Sequence, residues 1–193
     1  MNLLNLLLNA QEVMIKIKAM SNINKLFIEK ARSLLTAYYQ PKIERCLDEL
    51  TDEQMWLRPN DVSNSIGNLI LHLCGNARQY IVSGIGQTKD TRTRQAEFEA
   101  RDRIKKDKLR SKLIRTLEEV DKVLDGLAES QLSEHRRIQG RDVTVLEALF
   151  DAIEHFSMHT GQIIMLTKML ANKDMQFYTF PDGPDGKAQA NWK

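Results

Sequence analysis

Apolar residues recur at threes and fours in four separate stretches of this chain, and that spacing constrains its fold more than any other feature. The stretches are Ile23, Leu26, Phe27, Leu34, Tyr38, Leu47 and Leu50; Ile66, Leu69, Ile70, Leu73, Ala77, Tyr80 and Ile81; Leu113, Leu117, Val120, Leu124 and Leu127; and Leu146, Leu149, Phe150, Ile153, Phe156, Ile163 and Ile164. A period near 3.6 residues puts each set on one face of a helix. The spacing predicts helices from Asn22 to Leu50, from Ser63 or Ser65 to Ile85, from Asp107 to Ala128, and from Thr144 to Ala171. Pro41 falls inside the first and should kink it, because proline has no N–H to donate and its ring crowds the preceding turn. Thr51 followed by Gln54, and Thr144 followed by Glu147, have the spacing of capping boxes at helix starts. Four such helices, with a long polar connector from Thr88 to about Lys106 between the second and third, read as an all-α four-helix bundle.

Few other architectures fit. Glycine and proline are scarce, and at 193 residues the chain suits one domain with a sizeable core. The expected organisation is an N-terminal extension over 1–20, the bundle over 21–181 and a flexible C-terminal tail over 182–193. The leucine-rich start has no basic region before it and is interrupted by Asn2, Asn5 and Asn9, so it fits a secretory signal poorly and is too short to cross a bilayer. It reads equally as an extra helix or as a misplaced start, with Met20 as the real one. Cys46 and Cys74 form no Cys-x-x-Cys pattern and read as small buried hydrophobes in a reducing, cytoplasmic setting. Between Lys89 and Arg115 eleven basic residues face five acidic ones. Their interspersion and the fewness of aromatic residues for stacking favour a solvated surface over a nucleic-acid patch. Neither a nucleic-acid nor a membrane partner is expected.

The chemistry is carried by histidines, of which the chain has four. His155 and His159 are four apart on the last predicted helix, so both imidazoles lie on one face. His72 lies at the rim of the second helix's apolar face, between Asn68 and Asn76. His135 is flanked by Arg136 and Arg137, cations that disfavour a bound metal ion, and reads as an exposed loop residue. His72, His155 and His159 would give three neutral nitrogen donors, the count of a catalytic site that keeps one position open. Three imidazoles suit zinc, and equally nickel, iron or copper. Zinc or nickel is the ion expected first, then iron or manganese. Asp151, Gln162, Asn68 and Asn76 are candidates to orient the imidazoles through their second nitrogens. No His-Glu-x-x-His, Ser-His-Asp order or phosphate-binding glycine loop is present, and no catalytic residue is identified. Asp151 and Glu154 are the nearest carboxylates, with Glu154 expected to point away from the imidazoles. Gly161, inside the helix, is expected where a neighbouring helix approaches closely.

The segments Asn64 to Leu73 and Glu154 to Ile164, with Asp90 to Phe98, Asp142 to Ala148 and Phe177 to Pro181, resemble the DinB-like superfamily of metal-dependent four-helix bundles. That superfamily includes a bacillithiol-transferase branch, and the chain looks most like a branch of unknown function. The resemblance covers about Asn22 to Pro181. It implies a metal-binding histidine on the second helix and a His-x-x-x-His pair on the last, matched here by His72, His155 and His159. It also implies homodimers and a small-molecule substrate, with a thiol S-transferase using a low-molecular-weight thiol, or a hydrolase, as the activity. The alternative is a non-catalytic metal-binding or dimerisation bundle.

Overall fold

Helix α1 covers residues 23–48 and changes gauge in the middle. Ordinary α turns give way to a wider π-helical stretch at Leu34–Tyr39, and regular α geometry resumes at Gln40–Asp48. Pro41 is at the start of the resumed segment. It cannot donate to the carbonyl one turn back, and the widened turn absorbs that defect without breaking the rod. The computed structural model describes residues 23–101 and 104–192. The predicted N-terminal extension and the start of the first helix therefore lie outside the described residues.

Helix α2 spans Ile66–Ala77 and continues as a second π-helical stretch, Arg78–Ile85. It opens on a reciprocal cap. Ser65 Oγ accepts from the Asn68 backbone N–H, and Asn68 Oδ1 accepts from the Ser65 N–H, which satisfies two otherwise orphaned donors. The polar connector contains a further helix, α3, Arg94–Glu99. Helix α4 covers Lys106–Asp125, and α5, capped by Thr144 and Glu147 as their spacing predicts, covers Val145–Ala171. Between α4 and α5, His135–Ile138 (β1) and Arg141–Thr144 (β2) pair antiparallel, with Ile138 opposite Arg141. Gln139 and Gly140 both have positive φ, as a two-residue hairpin turn requires. His135 is therefore at a strand end, exposed and 3.2 Å from Asp142.

α2 packs against α4 and α5, and α1 packs against α5 and α4, closing an all-α four-helix bundle. α3 lies along α2 as a strap. The core includes Leu35, Ile43 and Leu47 of α1, Leu69, Ile70 and Leu73 of α2, Leu113, Leu117 and Val120 of α4, and Leu149 and Phe156 of α5. Each fully buried side chain of this size contributes about 1.5–3 kcal/mol. Among the described residues, no helix is long and apolar enough to cross a membrane.

Beyond α5 the chain returns to α1. Tyr178–Thr179 (β3) pairs with Gln189–Ala190 (β4). Lys42 Nζ lies 3.6 Å from the ring centre of Tyr38 and 4.2 Å from that of Trp192, with Phe177 and Tyr178 completing an aromatic box. Lys42 is buried on these faces. Cation–π attraction of this kind strengthens as water is excluded.

Candidate metal centre

The three helical histidines meet where α2 faces α5. His72 Nε2 and His155 Nε2 are 2.9 Å apart, and one nitrogen from each of His72, His155 and His159 falls within 4.8 Å of the others. His72 and His159 are buried, and His155 is half-buried. The i, i+4 spacing on α5 sets two of the imidazoles, and α2 brings in the third.

Hydrogen bonds on the far side of two rings decide which nitrogen points inward. His72 Nδ1 is 2.8 Å from Glu97 Oε2. A carboxylate can only accept, so Nδ1 carries the proton and Nε2 keeps its lone pair. Arg92 Nη2 lies 3.1 Å from the same Nδ1 but cannot donate to a protonated nitrogen. Instead it donates to Glu97 Oε2 at 2.9 Å, and Arg92 Nε donates to Oε1 at 2.8 Å. On α5, His159 Nδ1 donates to Gln162 Oε1 at 2.7 Å, leaving Nε2 inward, buried and without a partner.

The charge state suits a metal ion. Burial, reinforced by the neighbouring His159 and His72 rings and by the Arg92 and Arg94 guanidinium groups, pushes His155 down to about 3. Burial also lowers His159. Both rings are therefore neutral near neutral pH. Burial alone would raise the Glu97 carboxyl, but Arg92 and His72 outweigh it and hold it below its ordinary range. Tetrahedral zinc with bonds of about 2.0–2.1 Å sets its nitrogens roughly 3.3 Å apart, close to the 2.9 Å of the nearest pair here. Three converging imidazoles, a buried nitrogen with no partner and back-side hydrogen bonds on two of the rings fit a divalent cation.

The other residues singled out from the sequence are placed differently. Gln162 reaches an imidazole. Asn68 is engaged with the strap: its Nδ2 donates to the carbonyls of Glu97 at 2.9 Å and Ala100 at 3.1 Å, so it positions the residue that holds His72. Asp151 contacts Arg141 of β2 at 3.3 Å. Asn76 is buried with Oδ1 unpaired and lines a cleft of about 330 Å³ that also includes Asp151, Glu154 and His155. Glu154, expected to point away, is thus on a cleft wall beside an imidazole. Gly161 has no neighbour within 4 Å of where a Cβ would stand. Instead of meeting another helix it lines a second, larger cleft of about 580 Å³ with Met158, Met165 and Val62.

Glu97 and Arg92 as partners of His72 were missed in the sequence. One signal was available. Gly75, one turn after His72, is where a Cβ would stand 1.9 Å from Glu97 Oε1. A glycine inside a helix, beside a histidine, marks an approach by another segment.

The comparisons with known proteins agree with this fold. Residues 22–184 match a family described as "Protein of unknown function (DUF1572)". The chain belongs to that family. No curated protein matches it. Among solved structures, the chain is similar to a DinB-like protein from Bacillus cereus ATCC 10987, at 19% identity over 69% of this chain and 86% of that one, with a TM-score of 0.57. It is also similar to the DinB-like protein YjoA from Bacillus subtilis, at 17% identity over 75% and 94%, TM-score 0.58. A conserved protein from Enterococcus faecalis matches at 18% identity over 79% and 98%, TM-score 0.56. The DUF1572 chain thus has a DinB-like fold, with a three-histidine group that could hold a metal ion.

Proposed function

We propose that this DUF1572 protein is a metal-dependent enzyme acting on a small molecule, with His72, His155 and His159 as the ligands of one divalent ion, zinc or nickel before iron or manganese. The observation that carries this reading is the buried, unpartnered His159 Nε2 facing two further imidazole nitrogens. A buried polar atom left unpaired costs about 1–3 kcal/mol, and a cation would offset that cost. A divalent ion bound there would supply Lewis acidity, lowering the pKa of a coordinated thiol or water. The chain's own residues hold the tautomers: Glu97 fixes the Nδ1 proton of His72, Arg92 fixes Glu97, and Gln162 fixes the Nδ1 proton of His159. Three protein ligands leave a position for the reacting molecule, which makes S-transfer from a low-molecular-weight thiol, or hydrolysis, the reaction class. His155, the more exposed imidazole, borders the cleft through which that molecule would arrive.

Elemental analysis of untagged protein tests this directly. Near-stoichiometric metal in the wild type, lost in His159→Ala, is the expected result. Absence of metal from both after incubation with zinc, nickel or manganese would favour the non-catalytic bundle. The exposed Phe150, Met165 and Met169 on α5 support homodimerisation as a further part of the proposal, and Met165→Glu should then shift a dimer toward monomer in light scattering.

A further inference from the structure

The cleft of about 330 Å³ beside His155 is lined by Asn76 and Tyr80 from α2, Arg141 from β2, and Asp151 and Glu154 from α5. A molecule held there has an imidazole of the metal centre as its neighbour. The polar groups around it mostly seek donors. Asn76 is only 7% exposed, and its Oδ1 has no hydrogen-bond partner. Asp151 and Glu154 bring two carboxylates against the single guanidinium of Arg141. Arg141 holds Asp151 weakly: their contact is 3.3 Å, and the Arg141 side chain is 61% exposed. A solvated pair of that kind is readily exchanged for another cation. Tyr80 is engaged elsewhere, its hydroxyl donating to Gln139 Oε1 at 3.4 Å.

We infer that this cleft is the subsite for a protonated amine on the small molecule that the centre binds. The ammonium group would satisfy Asn76 Oδ1 and replace Arg141 as the counter-charge of Asp151 and Glu154. The inference rests on the metal-centre reading above and adds the class of ligand: a compound with an ammonium group a few bonds from the atom presented to the imidazoles. Hydrogen bonds between an ammonium and carboxylates are charge-assisted and shorter than neutral ones, so the preference should be large enough to measure.

The test uses cobalt-loaded protein, with the cobalt absorption bands followed during titration with thiols. The probes are 2-aminoethanethiol, 3-aminopropanethiol, 2-mercaptoethanol and mercaptoacetate. Thiols differ in intrinsic acidity, so the quantity compared is the ratio of affinities within one protein, first in the wild type and then in Asp151→Asn/Glu154→Gln. Both substitutions are isosteric, Glu154 being exposed and Asp151 half-buried. The expected result is a preference for the better aminothiol over 2-mercaptoethanol that is at least about tenfold greater in the wild type than in the double variant. Equal ratios in the two proteins, or tightest binding of mercaptoacetate, would overturn the amine subsite and leave the metal centre standing. Cobalt uptake that is absent, or unchanged in His159→Ala, would overturn the metal centre and the subsite with it.

Discussion

The imidazole of His72 is oriented by a carboxylate 25 positions away in sequence, and that contact sets the first expectation at the scale of single residues. Groups that hold a ligand's second nitrogen typically alter metal affinity by about 10–100-fold. Glu97→Gln should therefore weaken metal binding by that factor in a competition titration with a chromophoric chelator. It should also lower stability, because it leaves the Arg92 guanidinium, 3% exposed, without its counter-charge. The two cysteines give a second expectation. Burial pushes both Cys46 and Cys74 up to about 11. Only the thiolate is reactive, so near pH 8 both should resist an aromatic disulfide reagent in the native protein and react once urea unfolds it. Rapid native labelling would show that the helices open more readily than this packing implies. The histidine group was legible in the sequence because its geometry is local: one i, i+4 pair on a predicted helix and one histidine on the edge of another. Glu97 was not legible, because its partner is distant and its surroundings have no periodicity.

At the scale of elements, the helices were legible for the same reason that they fold: each buries a stripe spaced at threes and fours. Two departures were hidden. The widened turns of α1 and α2 leave no mark on that spacing. Pro41 signalled an irregularity, although the structure puts the widening in the turn before it. The strap α3 was hidden because six residues carry too little pattern. Two glycines in α2 and α5 should respond oppositely to alanine. At Gly161 there is open space, so Gly161→Ala should raise stability by about 1 kcal/mol, the ordinary helix preference, seen as a higher urea midpoint with an unchanged slope. At Gly75 the new methyl would strike Glu97 Oε1. Gly75→Ala should displace the strap and lower metal affinity at least as much as Glu97→Gln does. Equal effects at the two sites would mean that Glu97 is not seated on α2.

For the whole molecule, metal occupancy becomes a stability term. A ligand that binds only the folded chain stabilises it by about 2.7 kcal/mol at a hundredfold excess over its Kd. Adding zinc to metal-free protein should accordingly raise the thermal midpoint, a chelator should reverse the rise, and His159→Ala should show neither. The closing of the chain on itself was only partly visible in the sequence. The box that Trp192 completes around Lys42 joins residues 150 positions apart, beyond the reach of any local pattern.

The bond between Glu97 and His72 has a consequence for motion. Because the strap holds the tautomer that a cation needs, strap docking and cation binding are linked equilibria, and each must favour the other by the same factor. The backbone amides of Arg94–Glu99 would then report on a site whose ligands lie on other helices, their deuterium uptake slowing on metal addition by the factor that docking adds to affinity. Read in that way, the connector between the second and fourth helices is a gauge of the centre's occupancy.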